Sequence, residues 1–137
     1  MKKVYLIRKG VSLDQIIELI EFIDNYKAGL LKAIYFEENK SEYKGLTSVK
    51  NLMTQCKVVL LFIGTKPSDS QYMDEEIQLT HNLGKRRHVY SFDEEEYPPG
   101  SHKGIPSLWK LHTFIVERPT PSNVIRGIQG ATKWGVS

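Results

Sequence analysis

The feature that most constrains the fold of this chain is a run of six apolar residues, Val58–Ile63, near its middle. A strand with one face in water alternates apolar and polar residues, whereas this run offers no polar position to either face. Strands of that kind occur in parallel sheets that helices cover on both sides. The run is also far shorter than the roughly 20 residues that a membrane-spanning helix needs. We therefore expect Val58–Ile63 to be a central strand, and we expect no membrane partner.

Short β-branched runs alternate with segments of helical spacing on both sides of this central run, which is typical of an α/β domain. The predicted strands are Lys3–Arg8, Leu31–Phe36, Val58–Ile63, His88–Phe92 and Leu111–Val116. The predicted helices are one that Ser12 caps and Gly29 closes, one over Leu46–Cys56, one from about Gln71 to Leu83 with Gly84 after it, and one over Pro121–Ile128. The predicted loops are Glu37–Gly45, Gly64–Ser70 and Asp93–Leu108.

The order of these elements favours one topology. Right-handed crossovers lead to a flavodoxin-like five-stranded parallel sheet of order 2-1-3-4-5, with helices on both faces. We expect a single domain over residues 1–130 and a loose tail at 131–137. In this topology a crevice opens between strands one and three, at their C-terminal ends. The residues that can line it are Arg8, Lys9 and Gly10, the loop Gly64–Ser70, and Ser91–Asp93.

Composition and charge narrow the class of protein only slightly. The 137 residues are one domain's worth, and 19 Lys and Arg against 16 Asp and Glu give a net charge of +3, which does not require a nucleic-acid partner. The apolar run after Met1 is too short for a signal peptide, so we expect a cytoplasmic protein. The single cysteine, Cys56, excludes an internal disulfide and a cysteine-based metal site, and we expect it to be a small buried hydrophobe. The four histidines have no metal-ligand spacing.

Three chemistries that occur on flavodoxin-like sheets lack their residues here. A phosphoacceptor receiver needs paired carboxylates after strand one and an Asp after strand three, where this chain has Arg8-Lys9 and Gly64-Thr65. A flavin-phosphate loop needs several Ser or Thr residues after strand one, and only Ser12 is there. A dinucleotide-binding loop needs G-x-G-x-x-G, and only Gly10 is present. We therefore expect none of these three chemistries at the crevice.

A carboxylate cluster, Asp74-Glu75-Glu76, begins the third predicted helix. The helix dipole stabilises acidic residues at a helix N-terminus, so the cluster alone does not define a site. Helical spacing separates its members, because Glu76 lies beside Met73 and Ile77, toward the sheet, while the other two carboxylates point more to solvent. Glu76 is therefore the carboxylate that we consider a candidate for chemistry.

Three segments of the chain follow one another in a recognisable order. They are Gly45-x₃-Val49-x₂-Leu52-x₃-Cys56 continuing through Lys57–Gly64, then Ser70–Ile77, then Lys85–Phe92. Together they resemble a Toll/interleukin-1 receptor (TIR) domain, and within that family the bacterial TIR-like proteins of the Thoeris anti-phage type. The resemblance runs from Lys3 to Phe92, about two thirds of the chain. TIR domains carry a Ser-x-Trp-x-x-x-Glu segment, in which Tyr72 stands here at the Trp and Glu76 at the Glu.

The resemblance implies the chemistry of the NAD-cleaving TIR domains, with Glu76 as the catalytic residue, NAD as the substrate and no cofactor. Cleavage at the ribose expels neutral nicotinamide, so a carboxylate that stabilises the oxocarbenium ion suffices. The implied product is of the ADP-ribose type, linear or cyclic. The family resemblance further implies self-association, an effector protein that receives the product, and a role in anti-phage defence.

The substrate would meet a set of residues around Glu76. Arg8, Lys9 and Lys66 offer positive charge to a pyrophosphate, and Tyr72 or Phe92 can stack on a ring. The remaining members of the expected substrate-binding set are Gly10, Gly64, Thr65 and Ser70.

Two other functions remain open from the sequence. Nucleoside deoxyribosyltransferases also place a Glu on the helix after a central strand and follow it with a Gly-Lys turn, here Gly84-Lys85, and they use the Glu as a covalent nucleophile. A non-enzymatic TIR-like or receiver-like module is the other alternative. Its surface would include two opposite charge blocks that flank strand four, Lys85-Arg86-Arg87-His88 and Asp93-Glu94-Glu95-Glu96, which suit head-to-tail contact between copies.

Overall fold

The computed structural model describes residues 2–35, 46–65, 73–110 and 115–130. The strands of these ranges are β1 (Lys2–Lys9), β2 (Leu31–Ile34), β3 (Val58–Ile63), β4 (Arg86–Ser91) and β5 (Val116–Glu117). The helices are α1 (Leu13–Asn25), α2 (Leu46–Thr54), α3 (Met73–Asn82) and α4 (Pro121–Gln129), with single 3₁₀ turns at Tyr26–Ala28 and Ser107–Trp109. The strands form one parallel sheet of order β2-β1-β3-β4-β5, which confirms the predicted α/β fold.

The central strand β3 has every side chain buried, as its uniformly apolar sequence predicts. Its two faces feed two separate clusters. Val58, Leu60 and Phe62 pack with α1 and α4 on one face of the sheet. The alternate residues Val59, Leu61 and Ile63 pack with α2, α3 and Trp109 on the other. Helices therefore cover both faces, and residues of alternate parity along β1 and β3 belong to different layers.

Local signals set the ends of the helices. The Ser12 side chain accepts from the backbone N–H of Gln15, and the Gln15 side chain accepts from the Ser12 N–H, which is a complete capping box at the start of α1. The Thr120 side chain accepts from the Asn123 N–H, with Pro121 as the first residue of α4. The first backbone N–H groups of a helix have no carbonyl partner within the helix, and each N-cap side chain accepts from one of them. The starts of α1 and α4 therefore follow from local side-chain chemistry.

Cations meet the C-terminal ends of two helices at the N-terminal edge of the sheet. Lys2 Nζ donates to the carbonyl oxygen of Ile128 at 3.2 Å, and the guanidinium of Arg86 donates to the same oxygen, in the last turn of α4. Lys85 Nζ donates to the carbonyl of Thr54, the last residue of α2, at 3.2 Å. The helices run antiparallel to the strands, so their negative ends lie at this edge and favour positive side chains there.

Several predicted strand ends were wrong. β1 is one residue longer at each end, β2 ends at Ile34, before Tyr35, and β4 ends at Ser91, before Phe92. The start of the fourth strand and the position of the fifth differ most. The fourth strand begins at Arg86 rather than His88, because Arg86 and Arg87 continue the register with Val58 and Val59 of β3. The fifth strand, predicted at Leu111–Val116, is described at Val116–Glu117, where it pairs with Val89 and Tyr90 of β4. Residues 111–114 lie outside the described ranges, and Ile115 is not in the strand.

Other predicted segments also fall partly or wholly outside the described residues. These are Phe36, the loop Glu37–Gly45, residues 66–72 with the predicted start of the third helix, and the tail at 131–137. Within the described ranges, none of the helices is long and apolar enough to cross a membrane.

Candidate functional site

The candidate site is a buried carboxylate, Glu76 of α3, which lies against the C-terminal half of β1. Its residue is 8% exposed, and its two oxygens contact different donors. Lys9 Nζ lies 3.1 Å from Oε1, in an ion pair whose lysine side chain is 2% exposed. The Tyr5 hydroxyl donates to Oε2 at 3.3 Å. The arrangement is a nearly enclosed Lys–Glu–Tyr cluster between β1 and α3.

The alternation of side chains along β1 places Tyr5 and Lys9 on the face of the sheet that α3, with Glu76, covers. Tyr5, Ile7 and Lys9 alternate along β1, so all three point toward α2 and α3. On α3 the buried positions include Glu76 and Ile77, and one turn later Thr80, whose hydroxyl donates to the Glu76 carbonyl at 2.8 Å. Glu76 faces the sheet as the sequence predicted, while its neighbour Glu75 is exposed.

Burial and neighbouring charge act on the Glu76 carboxyl in opposite directions. Burial raises its pKa, because the charged form loses hydration. The Lys9 ammonium, through charge and hydrogen bond, and the Tyr5 hydroxyl lower the pKa, and Glu75 adds a small upward effect. The net direction is upward, so burial is the largest effect on this group.

The structure places the two predicted cations of the first strand on opposite faces of the sheet. Lys9 points to the Glu76 side, whereas Arg8 lies on the other side and donates to the carbonyl oxygen of Val11 at 3.3 Å. Consecutive residues of a strand always diverge in this way, so Arg8 and Lys9 do not form one patch.

Two predicted site glycines bring the ends of β1 and β3 into contact. Gly10 has φ +75°, and a Cβ built on it would overlap the carbonyl oxygen of Thr65. A Cβ on Gly64 would lie 2.5 Å from the Gly10 carbonyl oxygen, and the Gly64 N–H donates to the Lys9 carbonyl at 3.0 Å. The two loops therefore meet backbone to backbone at the point where the sequence placed the crevice, beside an exposed Thr65.

Of the two aromatic residues predicted for ring stacking, the described one, Phe92, lies away from the carboxylate. Phe92 packs against Phe62, with ring centroids 6.1 Å apart, in the cluster beneath α1 and α4. Glu76 lies on the opposite face. Three further predicted substrate-binding residues lie outside the described ranges: Lys66, Ser70 and Tyr72.

The long loop after β4 forms a wall on the Glu76 face. Tyr97, Ile105 and Trp109 all pack into the cluster on this side of the sheet. A Cβ on Gly104 would lie 2.6 Å from Ile63 Cδ1 and from the Tyr97 ring, so the loop closes tightly on the end of β3. Trp109 is fully buried, and its Nε1 donates to the Ile77 carbonyl at 3.4 Å. The loop thus fixes α3 against the sheet.

The basic block expected on the surface is mostly internal, which corrects that prediction. Arg87 is 4% exposed, its guanidinium lies 5.7 Å from the centroid of the Trp109 ring, and it contacts His81 Nδ1 at 3.4 Å. Arg86 and His88 are half-buried within β4. Arg87 contacts the Trp109 ring and Arg86 donates to the Ile128 carbonyl of α4. Because both guanidinium groups have partners within the fold, they do not form a basic surface next to Lys85.

Part of the acidic block is paired within the chain. Arg118 Nε lies 3.2 Å from a Glu94 oxygen, and Lys103 Nζ lies 3.6 Å from a Glu96 oxygen. All four side chains are more than half exposed, so these pairs contribute little to stability.

The sequence missed the role of Tyr5. No role beyond membership of the first strand was predicted for Tyr5, although its side chain is 1% exposed and its hydroxyl needs a hydrogen-bond partner. The sequence pattern does contain this information in part: Tyr5 and Lys9 lie an even number of positions apart on β1, so the phenol and the ammonium lie on the same face of the sheet. Which carboxylate they meet depends on the packing of α3.

Among the residues that the structure describes, Cys56 and the other possible metal ligands do not form a second site. Cys56 is 1% exposed and burial raises the pKa of its thiol to about 11, which confirms the buried hydrophobe that the sequence predicted. The described residues contain no group of three or more His, Cys, Asp or Glu side chains that could hold a metal ion.

Comparison with known proteins does not assign this site to a family. No family model matches the chain, and no curated protein matches it in sequence.

Proposed function

We propose that this protein cleaves the N-glycosidic bond between ribose and nicotinamide in NAD, with Glu76 as the catalytic carboxylate. The observation that carries the proposal is the position of Glu76, which is buried against the C-terminal half of β1 and fixed by two donors, one of them Lys9 at the end of that strand. Ligands of doubly wound α/β domains bind at the C-terminal edge of the sheet, where the strand order reverses. The resemblance of the Ser70–Ile77 segment to the catalytic segment of TIR domains points to the same residue.

The reaction needs little more than this carboxylate. The bond between C1′ and the nicotinamide nitrogen breaks, and its electron pair leaves with the ring, which becomes neutral nicotinamide. The positive charge passes to C1′ and the ring oxygen of the ribose, where a nearby carboxylate stabilises it. Water then adds to C1′ and loses a proton, which gives ADP-ribose, or a nucleophile within the same molecule adds and gives a cyclic product.

The remaining parts of the hypothesis rest on the resemblance. The proposed function includes self-association and an effector protein that binds the product in a cytoplasmic anti-phage response. Since most of the basic block lies inside the fold, a head-to-tail contact between copies would use the acidic residues Asp93–Glu96 and a different basic surface.

The test compares wild-type protein with Glu76→Gln, which keeps the shape of the side chain and removes its charge. Glu75→Gln is the matched control, because Glu75 is adjacent in sequence and exposed. We expect nicotinamide release from NAD by wild type and Glu75→Gln, and a loss of about 100-fold or more in Glu76→Gln, the scale of losing one electrostatic stabiliser. The proposal is wrong if concentrated, crowded wild-type protein releases no nicotinamide, or if Glu76→Gln releases it at the wild-type rate.

A second candidate is transfer of deoxyribose between bases, and the Lys9 ammonium favours it. The base of a neutral nucleoside leaves as an anion and has to be protonated, whereas nicotinamide leaves neutral. Lys9 supplies a proton donor 3.1 Å from Glu76. In this reaction a Glu76 oxygen bonds to C1′ as the base departs with a proton from Lys9. The incoming base then displaces the carboxylate from C1′ and returns its own proton to Lys9. Incubation with a deoxynucleoside and a different free base distinguishes the candidates, because only the transferase forms the exchanged nucleoside.

A further inference from the structure

Both oxygens of Glu76 are held by donors from a single strand. Lys9 donates to Oε1 at 3.1 Å and Tyr5 to Oε2 at 3.3 Å, and both residues belong to β1. This strand pairs with β2 on one side and with β3 on the other, so its backbone is fixed over its whole length. The two donors therefore define one orientation of the carboxylate plane.

We propose that Lys9 and Tyr5 are positioning residues for Glu76, which keep its carboxylate charged and correctly oriented, and that Lys9 is not a ligand of a substrate phosphate. The inference rests on the proposed role of Glu76 in catalysis. Of the two predicted substrate-binding cations that the structure describes, Arg8 and Lys9, it reassigns the one that lies beside the carboxylate.

The two described contacts do not use all of the hydrogen-bonding capacity of the Glu76 carboxylate. An ionised carboxylate offers about four lone-pair positions, and Lys9 and Tyr5 occupy one on each oxygen in the described contacts. A ribose hydroxyl can therefore donate to Glu76 while both pairs stay intact. The ion pair does not have to open for the carboxylate to act.

The surroundings explain why a counter-ion is needed. The charged or titratable groups that act on Glu76 in the described structure are Lys9 and Tyr5 from β1 and Glu75 on α3. On the same face, β3 contributes buried apolar side chains only, and Arg87 of β4 contacts His81 and Trp109 instead. Burial favours the protonated carboxyl, and Lys9 is the main group that opposes it. A protonated Glu76 would not stabilise a positive charge on the ribose.

The test follows the titration of Glu76 directly, so that it does not depend on turnover. Protein carrying ¹³C-labelled glutamate side chains is titrated by NMR, and the Glu76 carboxyl signal is assigned by its loss in Glu76→Gln. In Lys9→Met we expect the midpoint to rise by about one to three pH units, the usual effect of one adjacent charge. Lys9→Arg keeps the charge and should stay within about half a unit of wild type. Tyr5→Phe should give a smaller upward shift.

Activity, where wild type shows it, gives a second readout. The rising limb of the pH profile of nicotinamide release should move with the NMR midpoint in Lys9→Met, while KM for NAD changes little, because Lys9 does not bind the phosphates. An unchanged Glu76 midpoint in Lys9→Met overturns the inference, and so does a large rise in KM with an unchanged pH profile. If Lys9→Met does not fold, Lys9→Gln and Tyr5→Phe decide the question by the same titration. A shifted midpoint in a protein that never releases nicotinamide supports the positioning role and refutes the NAD reaction.

Discussion

Acid should destabilise this fold through one histidine, His88, in the middle of β4. Its half-buried ring packs under α4, where a Cβ on Gly127 would lie 3.2 Å from the ring. His88 Nε2 is enclosed and has no hydrogen-bond partner in the described structure. Burial, and to a lesser extent the charge of Arg86, lower the pKa of His88 from 6.5 to about 4, although a backbone contact with Gly127 opposes the shift. The folded protein therefore holds this ring neutral.

The sign of the effect follows from the two pKa values. Between pH 6.5 and about pH 4 the unfolded chain binds a proton at His88 and the folded chain does not, so the free energy of unfolding falls as the pH falls through this window. At about 1.4 kcal/mol for each pKa unit, the loss from pH 7 to pH 4 amounts to about 3 kcal/mol. Nothing of this contribution is lost above pH 7.

Urea unfolding of wild type and His88→Gln at a series of pH values measures the effect. Glutamine does not titrate, so the variant should lack about 3 kcal/mol of the wild-type loss between pH 7 and pH 4. His102→Gln is the matched control, because His102 lies exposed on the long loop, and it should keep the wild-type pH dependence. If His88→Gln loses stability with acid as steeply as wild type, the reasoning is refuted.

Three further changes have expected outcomes in urea unfolding at neutral pH. Gly10→Ala should lower the free energy of unfolding by about 2 kcal/mol or more, because it combines a positive φ with a clash at Thr65. Gly29→Ala is the control: it has a positive φ in open space and should cost about 1 kcal/mol. Equal losses in the two variants would contradict the clash at Thr65. Arg87→Met should stay within about 1 kcal/mol of wild type, since it removes a buried charge whose Nε has no partner in the described structure, and Arg87→Ala should cost about 2 kcal/mol more through the cavity. Ser12→Ala should cost about 1 kcal/mol by removing the cap of α1, and no loss would show that the capping box is dispensable.

Local signals account for most of the fold that the sequence predicts. The six apolar residues of β3, the Ser12 cap and Pro121 as the first residue of α4 were all placed correctly. Each depends on neighbours within a few residues, so pattern and capping chemistry suffice. The start of β4 was missed because Arg86 and Arg87 look like loop residues, and only distant partners, the Ile128 carbonyl and the Trp109 ring, make them strand residues.

The candidate site divides in the same way. Helical spacing predicts that Glu76 faces the sheet, and the structure confirms that orientation. The period of two along β1 also separates Arg8 from Lys9, a signal that the grouping of these cations by proximity in sequence overlooked. That Lys9 and Tyr5 meet Glu76 depends on how α3 docks on β1, across 67 and 71 residues of chain. No local rule contains that information.

The contact between Lys2 and α4 has a consequence for the synthesis of the chain. Lys2 Nζ and the Ile128 carbonyl are 126 residues apart, and α4 covers the same side of the sheet as Val4 and Leu6 of β1. A ribosome that adds residues in order has therefore made all five strands before α4 emerges to cover this layer. Until then the apolar side of β1 and β3 is only partly protected by α1, and the nascent chain is open to aggregation at that surface. Helix α4 therefore completes the hydrophobic layer to which β1 contributes Val4 and Leu6.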